Sequence, residues 1–484
     1  MQPIADAPPR VRSAPRIAIA LGACAATLLG TASCAAPTTE SLDHSGALER
    51  LEARSDPFEL ERALERAALH RSPVTLPNDP LSVEPDDPAY WLVRALAWSP
   101  EVRASARTVS AAIADSKSAG APQPIGFGLT DHEFGGDDER VELVATFDLL
   151  GLLGIGPARS ERERAAAAVV VAAAELESEI WRSWLTVDAA RLRFQAAAAR
   201  ERLLAEVLEQ ASADFDRIVI LHERGWIGDA PAAAARAAVG SVERARSSVA
   251  ADVAARRATL AHAAGVPPED GAFEALLAPD RPASEPALRP NAELGDGALF
   301  EHPRLRELRT RFALREAEVR SVATSAWPNV GIGPHLGYED DLAIGGVLQL
   351  TLPFPSSWRG RLAGAVERRD AVIEAYEDEL HLLLVEERSA RERRDEIHRR
   401  TTGATRLVVE GSTAGWSAAR ASFRVGRMPV LEWIDALYRR LGATTAEIDD
   451  AEALALAQVA LAGARGPAGT RLPWQDERAT EVTP

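Results

Sequence analysis

The stretch FRVGRMPVLEWIDALYRR, residues 423–440, closes a charged, proline-free segment that begins at residue 359. The segment has the composition of a helix as far as Val425, where Gly426 and Pro429 interrupt it. A second helical pattern starts at once with Glu432 and Asp435. At 1.5 Å per residue, a helix over residues 359–425 is roughly 100 Å long. The stretch therefore predicts a sharp reversal between two long helices, which is a helical hairpin.

The same arrangement occurs about 200 residues earlier. Three pairs of segments recur in the same order: SPEVRA (99–104) and HPRLRE (302–307), VELVATFDL (141–149) and VLQLTLPFP (347–355), ERGWIGDAP (223–231) and RVGRMPVLE (424–432). Their constant order and spacing indicate a tandem duplication. Each repeat is predicted to contain a first helix (92–119 and 299–326), two strands, a long helix (158–223 and 359–425) and a returning helix (229–264 and 430–465).

Strands are indicated by alternating side chains, as at Val141, Leu143, Ala145 and Phe147, which share one face. Four strands per chain are too few to close a membrane β-barrel, which needs at least about 8. The strands belong either to a soluble four-stranded sheet or to a barrel assembled from several chains. The predicted fold class is mainly α with a small β part: a tandem repeat of long α-helical hairpins, an α-barrel. The four strands are expected to contribute to a trimeric 12-stranded outer-membrane β-barrel, which an export signal and the long helices favour.

The N-terminus has the features of that signal. Three arginines precede the apolar run of residues 17–30, and the small residues TAS lead to Cys34. TASC is similar to the bacterial lipoprotein processing box, so Cys34 is the predicted lipid-attachment residue. Acylation at Cys24, or cleavage without any lipid, are the alternatives.

The expected organisation therefore has six parts. These are a signal peptide (1–33), an N-terminal linker and helix (34–87), repeat 1 (88–265), an inter-repeat linker (266–298), repeat 2 (299–466) and a disordered tail (467–484).

Composition excludes several classes of function. The formal net charge of −17 argues against nucleic acid as a partner, because phosphates require a basic surface. No phosphate-binding, hydrolase or zinc-protease motif occurs, so we predict no catalytic residue and no cofactor. The nine histidines are scattered without metal-ligand spacing, so no metal site is predicted. Trp181 and Trp184 are interpreted as packing residues.

Four segments carry a family resemblance: HPRLRE (302–307), AWPNVGIG (326–333), LTLPFPSSWRGRLAGA (350–365) and FRVGRMPVLEWIDA (423–436). With these, residues 88–466 resemble the TolC-family outer-membrane efflux proteins, and among them the CzcC-like heavy-metal branch. The first repeat is less typical, notably at GWIGDAP (225–231).

The resemblance implies a passive homotrimeric channel in the outer membrane, extending through the periplasm and in contact with outer-membrane lipid. Its partners would be a periplasmic adaptor (membrane fusion) protein and an inner-membrane pump. By the resemblance, Glu432 and Asp435 ring the periplasmic pore constriction, and Gly225, Gly426 and Pro429 form the hairpin tips. The conducted substrate, metal cation or other, is left open.

A different class of function is a periplasmic coiled-coil adaptor or scaffold of an export system. Adaptors carry one long hairpin in a lipoyl-like β-domain, whereas this sequence predicts two hairpins and two strand pairs. A periplasmic enzyme with a helical insert is the second rival, and no active-site grouping supports it.

Overall fold

The structure is a computed structural model that describes residues 44–69, 83–85, 87–120, 126–134, 138–148, 156–277, 286–291, 298–326, 329–338, 342–351 and 355–471. The predicted signal peptide and Cys34 lie outside these residues. The chain divides into two units, Met1–Arg50 and Leu51–Pro484. The described part of the first unit is the beginning of helix α1 (His44–Glu52).

The helices of the second unit follow the predicted repeat. Those up to the end of the linker are α2 (Pro57–Leu69), α3 (Pro88–Trp98), α4 (Pro100–Ser118), α5 (Pro157–Glu223), α6 (Asp229–Ala264) and α7 (Ala272–Ala275). Those of repeat 2 are α8 (Pro303–Thr324), α9 (Pro355–Arg400), α10 (Arg406–Arg424) and α11 (Val430–Arg465). A π-helical turn, Thr401–Thr405, joins α9 to α10. The returning helices α6 and α11 have the bounds that the sequence predicts.

The first helix of each repeat differs from the prediction. A single helix over 92–119 is wrong, because the chain breaks at Ser99 and α4 restarts at Pro100. In repeat 2 the main helix starts at Pro303 rather than at 299, after a 3-10 segment, Ala298–Glu301. The physical reason is shared: proline disfavours helical geometry in the preceding residue but suits the first helical position. Ser99 and His302 accordingly have extended ψ angles of 129° and 131°.

In the described ranges, six strands form two sheets. They are β1 (Gly126–Phe134), β2 (Asp138–Asp148), β3 (Arg289–Pro290), β4 (Asn329–Tyr338), β5 (Leu342–Thr351) and β6 (Thr470–Arg471). The larger sheet has the order β1-β2-β4-β5 and is antiparallel throughout, so the β2–β4 pairing joins the two repeats. Its outer strands, β1 and β5, each have one edge without a partner among the described strands. Among the described residues, no helix is long and apolar enough to cross a membrane.

The long helices pack side by side with pairs of shorter ones. Helix α5 contacts α4 and α6, and also α8 and α11. Helix α9 contacts α8 and α11, and α10 contacts α11. In each repeat the two shorter helices meet end to end: Gly265, after α6, lies against the carbonyl of Trp98, and His302, before α8, contacts Gly463 of α11.

The His302 side chain forms two hydrogen bonds at the junction of the second repeat. Its Nε2–H donates to the carbonyl oxygen of Gly463 at 2.9 Å, and its Nδ1 accepts from the backbone N–H of Arg304 at 3.2 Å. This tautomer caps α8 with a neutral ring. Burial of the side chain, which is 1% exposed, lowers the pKa of His302 to about 4.

The largest core lies where α3, α5, α6 and the linker meet. Trp91 and Phe194 both pack on Phe273 of the linker, with ring centroids 5.0 and 5.8 Å away. Phe273 and Leu288 are fully buried, and the backbone N–H of Leu288 donates to Asp188 at 3.1 Å. The described parts of the linker, residues 266–277 and 286–291, are therefore part of the core.

The segments that flank the two repeats are also ordered in part. Helix α2 is anchored through the buried residues Leu60 and Leu64, which belong to the same core. Residues 467–471, expected within the disordered tail, form a 3-10 turn and strand β6, which pairs with β3.

Candidate pore constriction at the hairpin tips

The two helical reversals have the same backbone geometry. After α5, the N–H of Gly225 donates to the carbonyl of His222 at 2.8 Å, and that of Trp226 donates to Leu221 at 2.9 Å. After α10, Gly426 donates to Phe423 and Arg427 donates to Ser422, both at 2.9 Å. Each pair of bonds is a Schellman motif, which satisfies the last carbonyls of a helix. The less typical sequence of the first tip therefore leads to the same turn.

Glycine is required at both tips by backbone conformation. Gly225 has φ +75° and Gly426 has φ +77°, in the left-handed region that side chains disfavour. A Cβ at either position would meet no atom within 4 Å, so crowding plays no part. The segment after Gly426 reaches Pro429, which is the N-cap of α11, and its φ of −64° suits the start of a helix.

Asp214 of α5 joins the two hairpins through charge. Its carboxylate accepts from Nε of Arg420 at 2.8 Å and from Nε of Arg424 at 3.0 Å, both on α10. Trp433 of α11 adds a longer N–H contact at 3.4 Å. Asp214 is 2% exposed, so this charge is compensated inside the protein rather than by water.

An aromatic cluster surrounds that carboxylate. Trp433 is fully buried, and its ring lies 6.0 Å from the ring of Trp416 and 5.8 Å from that of Phe423. Ile218 of α5 and Ala235 of α6 belong to the same buried cluster. The cluster therefore packs one hairpin against the other just behind the tips.

The two predicted constriction residues flank Trp433 and are exposed. Glu432 lies in the first turn of α11, and Asp435 follows three residues later. They share a helical face because residues three apart are neighbours on a helix. Asp435 pairs with Arg439 at 2.5 Å, whereas Glu432 makes no ion pair with any residue that the structure describes. The face combines one free carboxylate with one paired carboxylate.

The tips also expose large apolar side chains. Trp226 of the first tip is 73% exposed, Val425 of the second is 67% exposed, and Leu431 is 60% exposed. No group of three or more His, Cys, Asp or Glu residues able to hold a metal ion occurs within the described ranges. The tips thus present carboxylates and apolar surface, without a metal-binding cluster among the residues described.

Sequence reasoning missed Asp214 and the aromatic cluster. Asp214 lies more than 200 positions from Arg420, and nothing local distinguishes it from the exposed Asp216 nearby. The usable signal was the repeat itself, since two adjacent hairpins require an interface close to their tips.

Comparisons with known proteins identify the fold. No family model and no curated protein matches the chain. Among solved structures, the outer-membrane channel OprN is 21% identical, with a TM-score of 0.66 over 83% of this chain and 95% of that one. CusC is 15% identical, with a TM-score of 0.66 over 79% and 92%. The outer membrane protein VceC of Vibrio cholerae is 17% identical, with a TM-score of 0.62 over 78% and 96%. At such identities the likeness establishes the fold: the chain has the fold of the TolC-family outer-membrane channels.

Proposed function

We propose that this protein is the outer-membrane channel subunit of a tripartite efflux system, conducting substrates passively from the periplasm to the exterior. The observation that carries the proposal is the fold: two tandem helical hairpins joined to one sheet shared by both repeats. An adaptor with a single hairpin has no place for the second hairpin or the second strand pair. The protein then performs no chemistry, and the energy for transport comes from the pump.

Assembly into a homotrimer is supported by two features of the single chain: the unpaired edges of the larger sheet and the exposed apolar residues of the second long helix. The edges of β1 and β5 are free to pair with strands of neighbouring copies, so three chains would supply twelve strands to a shared sheet. The second long helix exposes several large apolar residues that a neighbouring copy would cover: Ile373, Leu382, Leu384, Leu407 and Val408.

The constriction in this proposal is formed by Glu432 and Asp435 from three chains. Three copies would place six carboxylates around one axis, where their combined negative charge attracts cations and holds them, which slows their passage. Since Asp435 is already paired with Arg439, we assign the larger share of this effect to Glu432.

The exposed apolar side chains at the tips suit binding of a partner protein. Trp226, Val425 and Leu431 provide a surface for the periplasmic adaptor, which would link the channel to an inner-membrane pump. Heavy-metal cations remain one candidate substrate from the resemblance, and lipid attachment at Cys34 remains a prediction that metabolic labelling of a Cys34→Ser variant would test.

The proposal is tested on the full chain isolated from the outer-membrane fraction. We expect a band at the trimer mass that converts to monomer on heating, and discrete channels in planar lipid bilayers. A monomeric protein without conductance would exclude the channel.

The assignment of the constriction needs a separate measurement. Glu432→Gln is expected to raise single-channel conductance and lower cation preference, and Asp435→Asn to do so more weakly. Glu209→Gln combined with Asp216→Asn is the matched control, since both acids are exposed near the same tips. Equal conductance in all variants would show that these two carboxylates do not line the narrowest point.

A further inference from the structure

A groove of about 760 Å³ lies halfway along the long helices, between α5, α8, α9 and α11. This volume is within the range of roughly 300–1,000 Å³ that is typical of small-molecule sites. Its α5 wall includes Ser178, Leu185 and Ala189, which recur at helical spacing. They lie on the opposite side of α5 from Ile180 and Val187, which belong to the largest core. The groove therefore borders the largest core, to which Trp181 of its lining belongs, and does not include the hairpin tips.

Two buried polar atoms at the groove have no hydrogen-bond partner among the residues that the structure describes. The hydroxyl of Ser178 and the indole N–H of Trp181 are both buried without a hydrogen bond, and both side chains are 4% exposed. Trp184, one turn along α5, shows the usual arrangement, with its N–H donating to the carbonyl of Leu92 at 3.0 Å. Leaving a buried donor unpaired costs about 1–3 kcal/mol, so such groups require an explanation. Trp181 packs as predicted but leaves a donor next to the groove.

The charged residues of the groove are mainly arginines. Arg193 of α5 and Arg393 of α9 both line it, and neither forms an ion pair within the part of the chain that the structure describes. The carboxylate of Glu386, also in the lining, is held by Arg304 at 3.1 Å. Arg182 in the lining pairs with Glu179. The uncompensated charge in the groove is therefore positive.

The remaining lining is largely apolar and includes Leu185, Val385, Leu456 and Val459. A ligand that suits both parts of the groove has an apolar body and an anionic group. The anion would be held by Arg193 and Arg393, and the apolar body would pack on the neighbouring Leu456 and Val459. Trp181 lies roughly 18 Å before Arg193 along α5, so its N–H is left for a polar group of a ligand that extends through the groove.

We propose that this groove binds small amphipathic organic anions of the carboxylate or sulfonate class. Any role of this groove in transport rests on the proposed channel function, whereas the binding chemistry does not.

The test uses the purified full chain in detergent and three ligands with the same ring. These are 1-naphthalenesulfonate, neutral 1-naphthalenemethanol and cationic 1-naphthylmethylammonium, titrated calorimetrically against a detergent blank. We expect the sulfonate to bind at least 10-fold more tightly than either of the other two. Equal binding of all three, or no binding of the sulfonate above the blank, would overturn the proposal.

Variants locate the binding. Arg193→Gln combined with Arg393→Gln is expected to weaken sulfonate binding 10-fold or more, and either single substitution about 3-fold. Arg107→Gln combined with Arg217→Gln is the control, because both arginines are exposed and lie outside the groove. A sulfonate affinity that is unchanged in the groove variants, with the trimer intact on gels, would overturn the site.

Conductance separates the two proposals. A protein that conducts but does not bind the sulfonate retains the proposed function and loses the groove. A protein that binds the sulfonate but never conducts retains the groove and loses the channel.

Discussion

The long helices of the two repeats have similar sequences at their tips but very different surroundings. Helix α5 is one unbroken α-helix with neighbours from both repeats, and many of its side chains are buried. Its counterpart contains the π-helical turn at Thr401–Thr405, packs mainly on α8 and α11 with additional contacts to α5 near the tips, and is exposed along much of its length. The duplication therefore produced one central helix and one edge helix. An edge helix with apolar exposure is what a neighbouring copy would cover.

The π turn is itself held by contacts that α5 does not need. Asp450 of α11 accepts from the hydroxyl of Thr405 at 2.7 Å and pairs with Arg400. π-helical turns are rare and mark irregular or functional positions within helices. The π turn of the edge helix is therefore stabilised by Asp450 of the neighbouring helix α11, which binds the side chains of Arg400 and Thr405 at the two ends of the turn.

The largest effect is expected from Asp214, which has no counterpart in the second repeat. Asp214→Asn leaves Arg420 and Arg424 facing a neutral amide in a buried position. Breaking a buried ion pair in this way costs roughly 3–5 kcal/mol, whereas exposed substitutions stay within about 0.5 kcal/mol. We expect a clear drop in the thermal unfolding midpoint for Asp214→Asn and none for the exposed control Asp216→Asn. Equal midpoints would mean that the hairpins are joined by apolar packing alone.

The stability of the end-to-end junction is expected to depend on pH in the second repeat, where it contains His302. The first repeat has Ser99 at the equivalent position, so its junction should not show this pH dependence. The folded pKa of about 4 lies below the ordinary value of 6.5, so the unfolded chain binds more protons between these values. Stability from this group is complete above pH 6.5 and is lost as the pH falls towards 4, by about 3 kcal/mol in total.

His302→Ser, which copies the first repeat, should remove that part of the pH dependence. The measurement is the unfolding free energy of wild type minus variant at several pH values from 7 to 4. His381→Ser, at an exposed histidine, is the control. A difference that stays constant with pH for His302→Ser would contradict the assigned tautomer.

Glycine substitutions compare three left-handed positions, two without neighbouring atoms and one that is crowded. Gly225→Ala is expected to cost roughly 1–2 kcal/mol from backbone conformation alone, and Gly426→Ala the same. Gly265 has a similar φ of +70°, but a Cβ there would lie 2.2 Å from the carbonyl oxygen of Trp98. Gly265→Ala should therefore be about 2 kcal/mol more destabilising than either tip variant, because crowding adds to the conformational cost. Similar unfolding midpoints for all three alanine variants would show that the junction between Gly265 and Trp98 can rearrange to accommodate a Cβ atom at little cost.

The smallest effect on stability is expected at the candidate constriction. Glu432→Gln and Asp435→Asn together remove one exposed i,i+4 pair, a contribution of roughly 0.3–0.5 kcal/mol. Thermal midpoints should therefore hardly change while conductance rises. A large loss of stability would indicate that these acids support the fold rather than the pore.

The sequence predicts regular elements better than the interactions between them. Gly225 and Gly426 locate the tips because a left-handed turn almost requires glycine. The glycines Gly265 and Gly466 likewise mark the ends of α6 and α11. Pro100 is a local signal for the break between α3 and α4, since a serine–proline pair favours the start of a new helix. Asp214, the burial of Phe273 and the π turn depend on partners far away in the chain, so no local pattern reveals them. Whether Glu432 and Asp435 face a shared axis depends on other copies of the chain.

The buried carboxylate of Asp214 also limits how an entrance built from these tips can move. Because it binds α10 while belonging to α5, the two hairpins of one protomer cannot separate without breaking both of its ion pairs and exposing the aromatic cluster around it to water. In the proposed trimer the six tips would therefore behave as three rigid bodies. Opening would proceed by sliding between protomers, with each protomer carrying both of its hairpins in a single displacement.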